Sequence, residues 1–521
     1  MWFEQIIDQA SGCISYMIGS TVSGECLVFD PLWDITPYRE MAKQKRSTIR
    51  YIIDSHIHAD HVSGARRLQA QCGGELLLHH LADANYAATR LAHGDTLTLG
   101  EVALQVMHTP GHRPEMMSLL IADRMRSIHP WCILTGDFCL VGDLGRPELA
   151  ATAADDAEQL FDRSLARLAE LEDYVEIYPG RVTGGKTVTT AGFERRFNWL
   201  LQLRHAAHFV DEITLQPLRL PANATNIVAI NQGQQPLTMG EPTAPALLPA
   251  AVVQALAVGV LLLDTRIAAR FAAGHMPGSY HVPIDAANFA EWVGRAVSPD
   301  QTLLLVNESD AEAKAALHKL AFLGLDRQVK GIVSGGYSAL TGLGIVPAQL
   351  PRLTAQQLHK RLYGHAQNHT GQSRLQVLDV RQRAAWESEH IAGAHHLYAQ
   401  ALAAQITTLP LSKQRAVAVV CDHGAVASIA ASILRHHGYQ QVFTVIGGMR
   451  AWNAARLPTT ENDALDDADL LDELVLPRGW LAHADHVLEQ GLEMLQLPIA
   501  GNIHGFLPTS PPASTDWISL N

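Results

Sequence analysis

Residues 54–61 read Asp-Ser-His-Ile-His-Ala-Asp-His, and this stretch decides which kind of domain begins the chain. Four potential metal ligands, His56, His58, Asp60 and His61, fall within six residues in the pattern HxHxDH. The run before them is apolar and predicts a buried strand. A strand end delivers alternate side chains to one side, and the turn after it returns the later ligands towards the same point. The pattern therefore predicts a metal site at the end of a strand.

Two later motifs add candidate ligands. Residues 109–112 read Thr-Pro-Gly-His and present His112 on a Pro-Gly turn. Residues 134–137 read Leu-Thr-Gly-Asp and present Asp137 at a strand end. Either motif alone is more typical of an ordinary turn than of a metal site. Because both follow HxHxDH in one chain, we predict that His112 and Asp137 are also ligands.

The order HxHxDH, TPGH, TGD resembles that of the metallo-β-lactamase superfamily. The resemblance implies an αββα sandwich with the metal at one edge. Hydrolases and oxygenases share this fold, so the superfamily does not decide the activity.

The residues that follow the second and third motifs narrow the resemblance. Residues 113–115 (Arg-Pro-Glu) and 136–147 are similar to the corresponding segments of persulfide dioxygenases. In that family one Fe(II) is held by three side chains, whose positions here are His56, His112 and Asp137. Two histidines and one carboxylate form a facial triad, which leaves positions free for a substrate sulfur and O₂.

Two arginines refine this implied site. Arg146 matches a family arginine near the thiol substrate, and its guanidinium suits a carboxylate or a phosphate of the thiol carrier. Superfamily members normally place a second-metal histidine where this chain has Arg181, after Tyr178-Pro179-Gly180. Arginine stays protonated and cannot ligate a metal, and its charge opposes a second cation. We therefore expect one Fe(II) per chain.

Under this interpretation three residues of the HxHxDH motif are not iron ligands. We expect His58, Asp60 and His61 to support the ligands from outside, and direct ligation of an additional metal is the alternative. His58 is the least decided of the three.

A long internal repeat organises the rest of the chain. Residues 262–266 (LLDTR) are echoed by 377–381 (VLDVR), and residues 274–278 are echoed by 390–394. Asp264 and Asp379 are 115 residues apart, and so are His275 and His390. Each copy alternates strands and helices over about 110 residues, which predicts two tandem α/β domains with parallel sheets. A period this long excludes a solenoid.

The second copy contains a candidate nucleophile. An apolar strand ends at Cys421, and a helix follows the loop that begins there. Backbone N–H groups at a helix N-terminus lower a thiol pKa and stabilise an anionic persulfide, so we expect a lowered pKa here.

The repeats resemble rhodanese domains, in which a loop cysteine carries a sulfane sulfur. The second copy keeps Cys421 and Gly424 but has Val426 where an arginine is common. This departure favours a thiol persulfide over thiosulfate as the sulfur donor, with His423 supplying some positive charge. The first copy has Asn307 at the cysteine position and resembles a pseudorhodanese, with an expected role in packing, docking or oligomerisation.

Composition limits the alternatives. The chain has 521 residues, too many for one core, and a net charge of −13, which argues against a nucleic-acid or anionic-membrane binder. No apolar run approaches the roughly 20 residues of a membrane span, and the first residues lack a signal-peptide pattern. The six cysteines are scattered, without a CxxC pair, as is typical of a reducing compartment. We expect a soluble, cytoplasmic protein.

The predicted fold class is α/β: an αββα metallo-β-lactamase sandwich followed by two rhodanese-like domains with parallel sheets. The predicted boundaries are a dioxygenase domain at 1–205, a linker at 206–245, a pseudorhodanese domain at 246–346, a rhodanese domain at 352–458 and a C-terminal tail of unknown role at 459–521.

This domain order resembles that of bacterial persulfide dioxygenase–sulfurtransferase fusions. The resemblance implies oxidation of a low-molecular-weight thiol persulfide by O₂ to sulfite, thiosulfate formation through Cys421, a role in sulfide detoxification and a homo-oligomer. Two alternatives stay open: a dinuclear zinc thioesterase of the glyoxalase II type, and a non-catalytic sulfur carrier. The identity of the carrier thiol also stays open.

Overall fold

The computed structural model describes residues 1–215, 220–298, 300–364 and 375–461, all of which belong to one structural unit. The C-terminal tail predicted at 459–521 therefore lies outside the described residues after Glu461.

Six strands form the first sheet, and neighbours in sequence are neighbours in space. Its strands are β1 (Trp2–Ile7), β2 (Ile14–Gly19), β3 (Glu25–Phe29), β4 (Thr48–Ile53), β5 (Glu75–His79) and β6 (Thr89–Leu91). Helices α1 (Thr36–Gln44) and α2 (Ala65–Cys72) pack on its outer face.

A second six-stranded sheet stacks on the first, in the order β14-β13-β10-β9-β8-β7. Its strands and the short hairpin beside it are β7 (Thr96–Leu99), β8 (Val102–His108), β9 (Met117–Asp123), β10 (Cys132–Gly136), β11 (Cys139–Leu140), β12 (Asp143–Leu144), β13 (Glu176–Pro179) and β14 (Thr189–Thr190). The outer layer contains α3 (Ala153–Gln159), a π-helical turn (Leu160–Leu165), α4 (Ala166–Ala169), α5 (Ala191–Phe197) and α6 (Ala206–Leu215), with 3-10 turns at Ala150–Thr152 and Trp199–Gln202.

Strand alternation explains why the two sheets form a sandwich between helices. Leu119 and Ile121 of β9 point into the core between the sheets, whereas Leu120 packs against the outer helices. Successive side chains of a strand face opposite sides, so a strand that is apolar throughout needs cover on both faces. The fold-class prediction of an αββα sandwich is confirmed.

The stretch 206–245 was predicted as a linker, and its described residues contain two helices. Helix α6 places Phe209 in the core of the first domain. Helix α7 (Ala224–Asn231) packs Ile227 against the second domain. Each helix buries apolar residues that the prolines and the missing periodicity of the stretch concealed.

The second domain contains a five-stranded parallel sheet in the order β15-β19-β18-β16-β17. Its elements are β15 (Ala246–Leu247), α8 (Pro249–Ala257), β16 (Leu261–Asp264), α9 (Ala268–Ala273), β17 (Tyr280–His281), α10 (Phe289–Ala296), β18 (Leu303–Val306), α11 (Asp310–Ala321), β19 (Val329–Val333) and α12 (Gly336–Leu340), with 3-10 turns at Asp326–Gln328 and Thr341–Leu343.

The third domain repeats this topology in the order β20-β24-β23-β21-β22, again parallel. Its elements are β20 (Arg352–Leu353), α13 (Ala355–Tyr363), β21 (Leu375–Asp379), α14 (Arg383–Ser388), β22 (His395–His396), a 3-10 turn (Ala399–Ala401), α15 (Leu402–Gln405), β23 (Ala416–Val420), α16 (Ala425–His436), β24 (Val442–Val445) and α17 (Gly448–Ala454).

The repeat seen in sequence is also a repeat in register. Asp264 pairs with Val306 in the second domain, and Asp379 pairs with Val420 in the third. The prediction of tandem parallel α/β domains is confirmed.

Among the described residues, no helix combines the length and the apolar character needed to cross a membrane.

Candidate metal centre and sulfur-transfer loop

The three predicted iron ligands converge at one edge of the sandwich. His56 follows β4, His112 lies on the turn after β8, and Asp137 follows β10. One ligand atom of each side chain lies within 4.8 Å of the other two, and all three residues are buried. Strand ends of both sheets thus deliver two imidazoles and a carboxylate to a single point.

The donor set fits a metal ion. Nδ1 of His56 lies 2.9 Å from the hydroxyl of Ser55, whereas Nε2 is buried without a hydrogen-bond partner. Nδ1 of His112 lies 2.7 Å from the carbonyl oxygen of Arg146, which can only accept, so that nitrogen carries the proton. The lone pair of neutral His112 is therefore on Nε2, 3.8 Å from Asp137 Oδ2. A buried polar atom without a partner is costly, and a bound metal removes that cost.

Arg181 lies between the ligand group and the rest of the HxHxDH motif. Its guanidinium pairs with Asp60, and its Nε donates to Asp137 Oδ2 at 3.2 Å. Burial by itself would raise the pKa of Asp60, but Arg181 and His61 outweigh it and hold that pKa well below its usual range. A fixed positive charge therefore faces Asp60 where a second cation would have to approach.

His58 is held by carboxylates. Its Nε2 lies 3.3 Å from Asp30 Oδ1, and its Nδ1 lies 3.8 Å from Asp60 Oδ1. Burial lowers the pKa of His58, yet Asp30, Asp60 and Asp54 together raise it to about 10. Both imidazole nitrogens face carboxylates, which favours a supporting role for this residue. Asp30, Asp54 and His58 also form a group whose ligand atoms lie within 4.8 Å of one another.

His61 differs from His58 because one of its nitrogens is unpartnered. Its Nδ1 lies 3.0 Å from Asp60 Oδ1, and its buried Nε2 has no hydrogen-bond partner. Cys13, Asp60 and His61 form a second group with ligand atoms within 4.8 Å of one another. The alternative of an additional ligand therefore stays open for His61 and Asp60, and also for His58.

Sequence reasoning missed a row of buried ion pairs beside the ligands. Glu148 Oε2 lies 3.4 Å from His112 Nε2, and Glu148 Oε1 pairs with Arg113 at 3.0 Å. Arg113 also pairs with Glu115 at 3.2 Å, and Glu115 accepts a hydrogen bond from the backbone N–H of Ile57. This row of ion pairs joins the loop that carries His56 to the loop that carries His112. Its sequence signal was the pair of glutamates close to Arg113 and Arg146.

Arg146 orients His112 through its backbone carbonyl. Its guanidinium donates to Asp143 Oδ1 at 2.7 Å and to the carbonyl oxygen of Leu144. Its predicted contact with the thiol substrate stays a prediction.

Cys421 lies between β23 and α16 in the third domain, as predicted. Its Sγ accepts a hydrogen bond from the N–H of Gly424 at 3.1 Å, and the residue is 4% exposed. The expected lowering of its pKa was wrong: burial raises the pKa of the thiol, and the backbone N–H groups of the loop offset only part of that rise. Desolvation disfavours the thiolate more than a few amide dipoles favour it. His423 is exposed on the same loop.

The equivalent loop of the second domain holds no thiol. Asn307 follows β18 as Cys421 follows β23, is buried, and donates through Nδ2 to Thr265. An amide cannot form a persulfide, so this loop carries no sulfur.

Two family models match the chain. The metallo-beta-lactamase superfamily matches residues 10–181, and the rhodanese-like domain matches residues 249–342 and 357–455. The chain joins one metallo-beta-lactamase superfamily domain to two rhodanese-like domains. The family and the donor set together imply a metal cofactor.

Curated relatives of the chain carry more than one activity. The human mitochondrial persulfide dioxygenase ETHE1 is 26% identical over 38% of this chain and 76% of its own length. A hydroxyacylglutathione hydrolase of Nitrosococcus oceani is 32% identical over 32% of this chain and 60% of its own length. A crystal structure of a metallo-beta-lactamase from Staphylococcus aureus subsp. aureus COL has a TM-score of 0.57 and 28% identity, and it covers 64% of this chain and 98% of that one.

Proposed function

We propose that the chain is a non-haem Fe(II) persulfide dioxygenase coupled to a rhodanese sulfurtransferase. In the first reaction a persulfide RSSH, O₂ and H₂O give RSH and H₂SO₃. The observation that carries this proposal is the buried His56–His112–Asp137 group, with Arg181 paired to Asp137 and Asp60 beside it. The human persulfide dioxygenase relative supports the same substrate and oxidant.

The residues divide the work of the metal centre. His56, His112 and Asp137 hold one metal ion per chain. A bound ferrous ion would offer coordination sites for the substrate sulfur and for O₂, and it would allow electrons to pass from the sulfur to O₂. Arg181 forms ion pairs with both Asp60 and Asp137. The Arg113 ion pairs with Glu115 and Glu148 fix the loops that carry the histidines.

A dinuclear zinc thioesterase is the second candidate, favoured by the hydroxyacylglutathione hydrolase relative. Such an enzyme would need Asp60, His61 or Cys13 to hold a second cation. The Arg181–Asp60 ion pair argues against this candidate because the guanidinium already balances that carboxylate.

Cys421 supplies the transferase half of the proposal. Its thiol attacks the outer sulfur of a second RSSH, which releases RSH and leaves a Cys421 persulfide. Sulfite then takes that outer sulfur, giving thiosulfate and the free thiol. The N–H of Gly424 and the other loop amides stabilise the anionic sulfur while it is carried. Joining both sites in one chain keeps sulfite near its acceptor.

We also propose a role in sulfide detoxification in the cytoplasm and a homo-oligomeric state. All six cysteines lie in the described part of the chain and are free thiols, which agrees with a reducing compartment.

The decisive experiment measures metal content and O₂ uptake in anaerobically purified protein. About one iron per chain, with O₂ uptake that depends on added glutathione persulfide, supports the dioxygenase. Two zinc ions per chain, no O₂ uptake and hydrolysis of an acyl-glutathione would replace it by the thioesterase.

Two variants separate the two halves of the activity. His112→Ala should abolish O₂ uptake and leave sulfur transfer intact. Cys421→Ser should abolish thiosulfate formation and leave sulfite release. Unchanged thiosulfate formation in Cys421→Ser would refute the transferase role of Cys421. It would also count against the third candidate, a non-catalytic sulfur carrier, because Cys421 is the residue that would carry the sulfur.

A further inference from the structure

A cavity of about 470 Å³ lies between the first domain and the pseudorhodanese domain. Trp33, Asp60 and Arg181 line it from the first domain, and Lys319 and Phe322 line it from the second. Its volume is within the range of roughly 300–1,000 Å³ that is typical of small-molecule sites. The first domain alone would leave this space open to solvent.

One ion pair separates the cavity from the predicted metal ligand Asp137. Asp60 and Arg181 also line a small inner cavity, whose other lining residues include Asp137 and His61. The two cavities share the Asp60–Arg181 ion pair as a common wall. A ligand in the outer cavity therefore lies one ion pair away from a predicted metal ligand.

The pseudorhodanese domain is attached directly to the metal-binding loop. The backbone N–H of Val62 donates to the carbonyl oxygen of Phe322 at 2.8 Å. The Phe322 ring stacks on His61, with 5.4 Å between ring centroids and an interplanar angle of 11°. Nε2 of His318 lies 3.3 Å from Asp34 Oδ2. The end of α11 is therefore held in place as a wall of the cavity.

Most charged groups of the cavity are neutralised within the protein. Asp34 pairs with His318, and Asp60 pairs with Arg181. Glu291 pairs with Arg295 on its own helix at 3.0 Å.

Two charged groups of the cavity lack a counter-charge. Lys319 donates through Nζ to the carbonyl oxygen of Ile284 at 2.8 Å and pairs with no carboxylate in the described parts of the chain. The Asp8 carboxylate accepts hydrogen bonds only from Ser11 and pairs with no cation among the same residues. The cavity thus offers one cation from the second domain and one anion from the first.

We propose that this cavity holds the carrier part of the thiol persulfide, with Lys319 binding its carboxylate and Asp8 its ammonium group. The proposal rests on the dioxygenase function and specifies its substrate class: an amino-acid-like or peptide-like zwitterionic thiol. Coenzyme A carries several phosphate charges, and a single unpaired lysine does not balance them. The pseudorhodanese domain, which has no nucleophile at Asn307, acts as a specificity wall for the neighbouring site.

The kinetic test compares two persulfides that differ only in the carboxylate, those of cysteine and of cysteamine. Lys319→Gln keeps an N–H donor for Ile284 and removes the charge. Lys314→Gln is the matched control, because Lys314 is an exposed lysine of the same helix that does not line the cavity. A charge-assisted hydrogen bond of this kind corresponds to roughly a tenfold change in affinity. Lys319→Gln should raise KM for cysteine persulfide about tenfold, with kcat unchanged. It should leave cysteamine persulfide unaffected, and Lys314→Gln should change neither.

A binding measurement separates this proposal from the proposed function. Calorimetry with S-methylglutathione needs no turnover, and Lys319→Gln should weaken its binding about tenfold. If the wild-type protein binds S-methylglutathione but shows no persulfide-dependent O₂ uptake, the function fails while the binding site stands. Equal KM effects on both persulfides, tighter binding of coenzyme A than of S-methylglutathione, or no binding of S-methylglutathione would overturn the site.

Discussion

Replacing Arg181 by methionine removes the charge that joins the buried carboxylate of Asp137 to the partly buried carboxylate of Asp60. Its Nε lies 3.2 Å from Asp137 Oδ2, an attraction of about 5 kcal/mol at an effective dielectric constant near 20. Breaking a buried ion pair costs about 3–5 kcal/mol because the partner charge is left uncompensated. The Arg181 side chain is 29% exposed, so water compensates in part and the lower end, about 3 kcal/mol, applies. Asp60 loses its partner at the same time.

Hydrogen exchange on the metal-free protein measures this cost locally, which suits a multidomain chain that does not unfold in two states. Protection of peptides covering residues 54–63 should fall about 100-fold in Arg181→Met. Arg126→Met is the matched control, since that side chain is 88% exposed and lies 3.8 Å from Asp123. Its effect should stay within about 0.5 kcal/mol. Equal protection in both variants would show that the Arg181 ion pairs contribute nothing to the loop.

Arg181→His tests the same charge through metal stoichiometry. It removes the cation and adds an imidazole beside Asp60 and His61. Zinc titration should then give two ions per chain, against one in the wild-type protein. A stoichiometry of one in both proteins would mean that Arg181 does not exclude a second metal.

Three further outcomes follow from the site geometry. Alkylation of Cys421 by iodoacetamide should accelerate as pH rises and show no plateau up to pH 9, because burial raises the thiol pKa above its usual 9.0; a plateau near pH 7 would contradict this. A Cβ at Gly145 would overlap the carbonyl oxygen of Asp137, so Gly145→Ala should lose bound metal, whereas Gly240→Ala, with open space around it, should retain it. Chelation should abolish O₂ uptake and spare thiosulfate formation from sulfite and persulfide; joint loss would mean that the metal also serves Cys421.

The fold class followed from local patterns. Residues that are close in sequence were enough to predict the apolar strands before the ligand motifs. The same is true of the matching strands that end at Asp264 and Asp379. The convergence of His56, His112 and Asp137 was also predictable, because strand ends at one edge of a sandwich bring distant motifs together.

Other features depended on packing between distant segments. The pKa of Cys421 follows from how deeply its loop is covered, and a local motif of backbone amides cannot report that burial. Glu148 came to lie beside His112 because a loop folds back over the ligand turn. The stacking of Phe322 on His61 and the position of Lys319 depend on how one domain docks on another, and that arrangement leaves no periodic signal in the chain. Strand ends and turn motifs therefore specify which atoms can meet at a metal, whereas the surroundings that set charge, access and specificity arise only when separate segments bury one another.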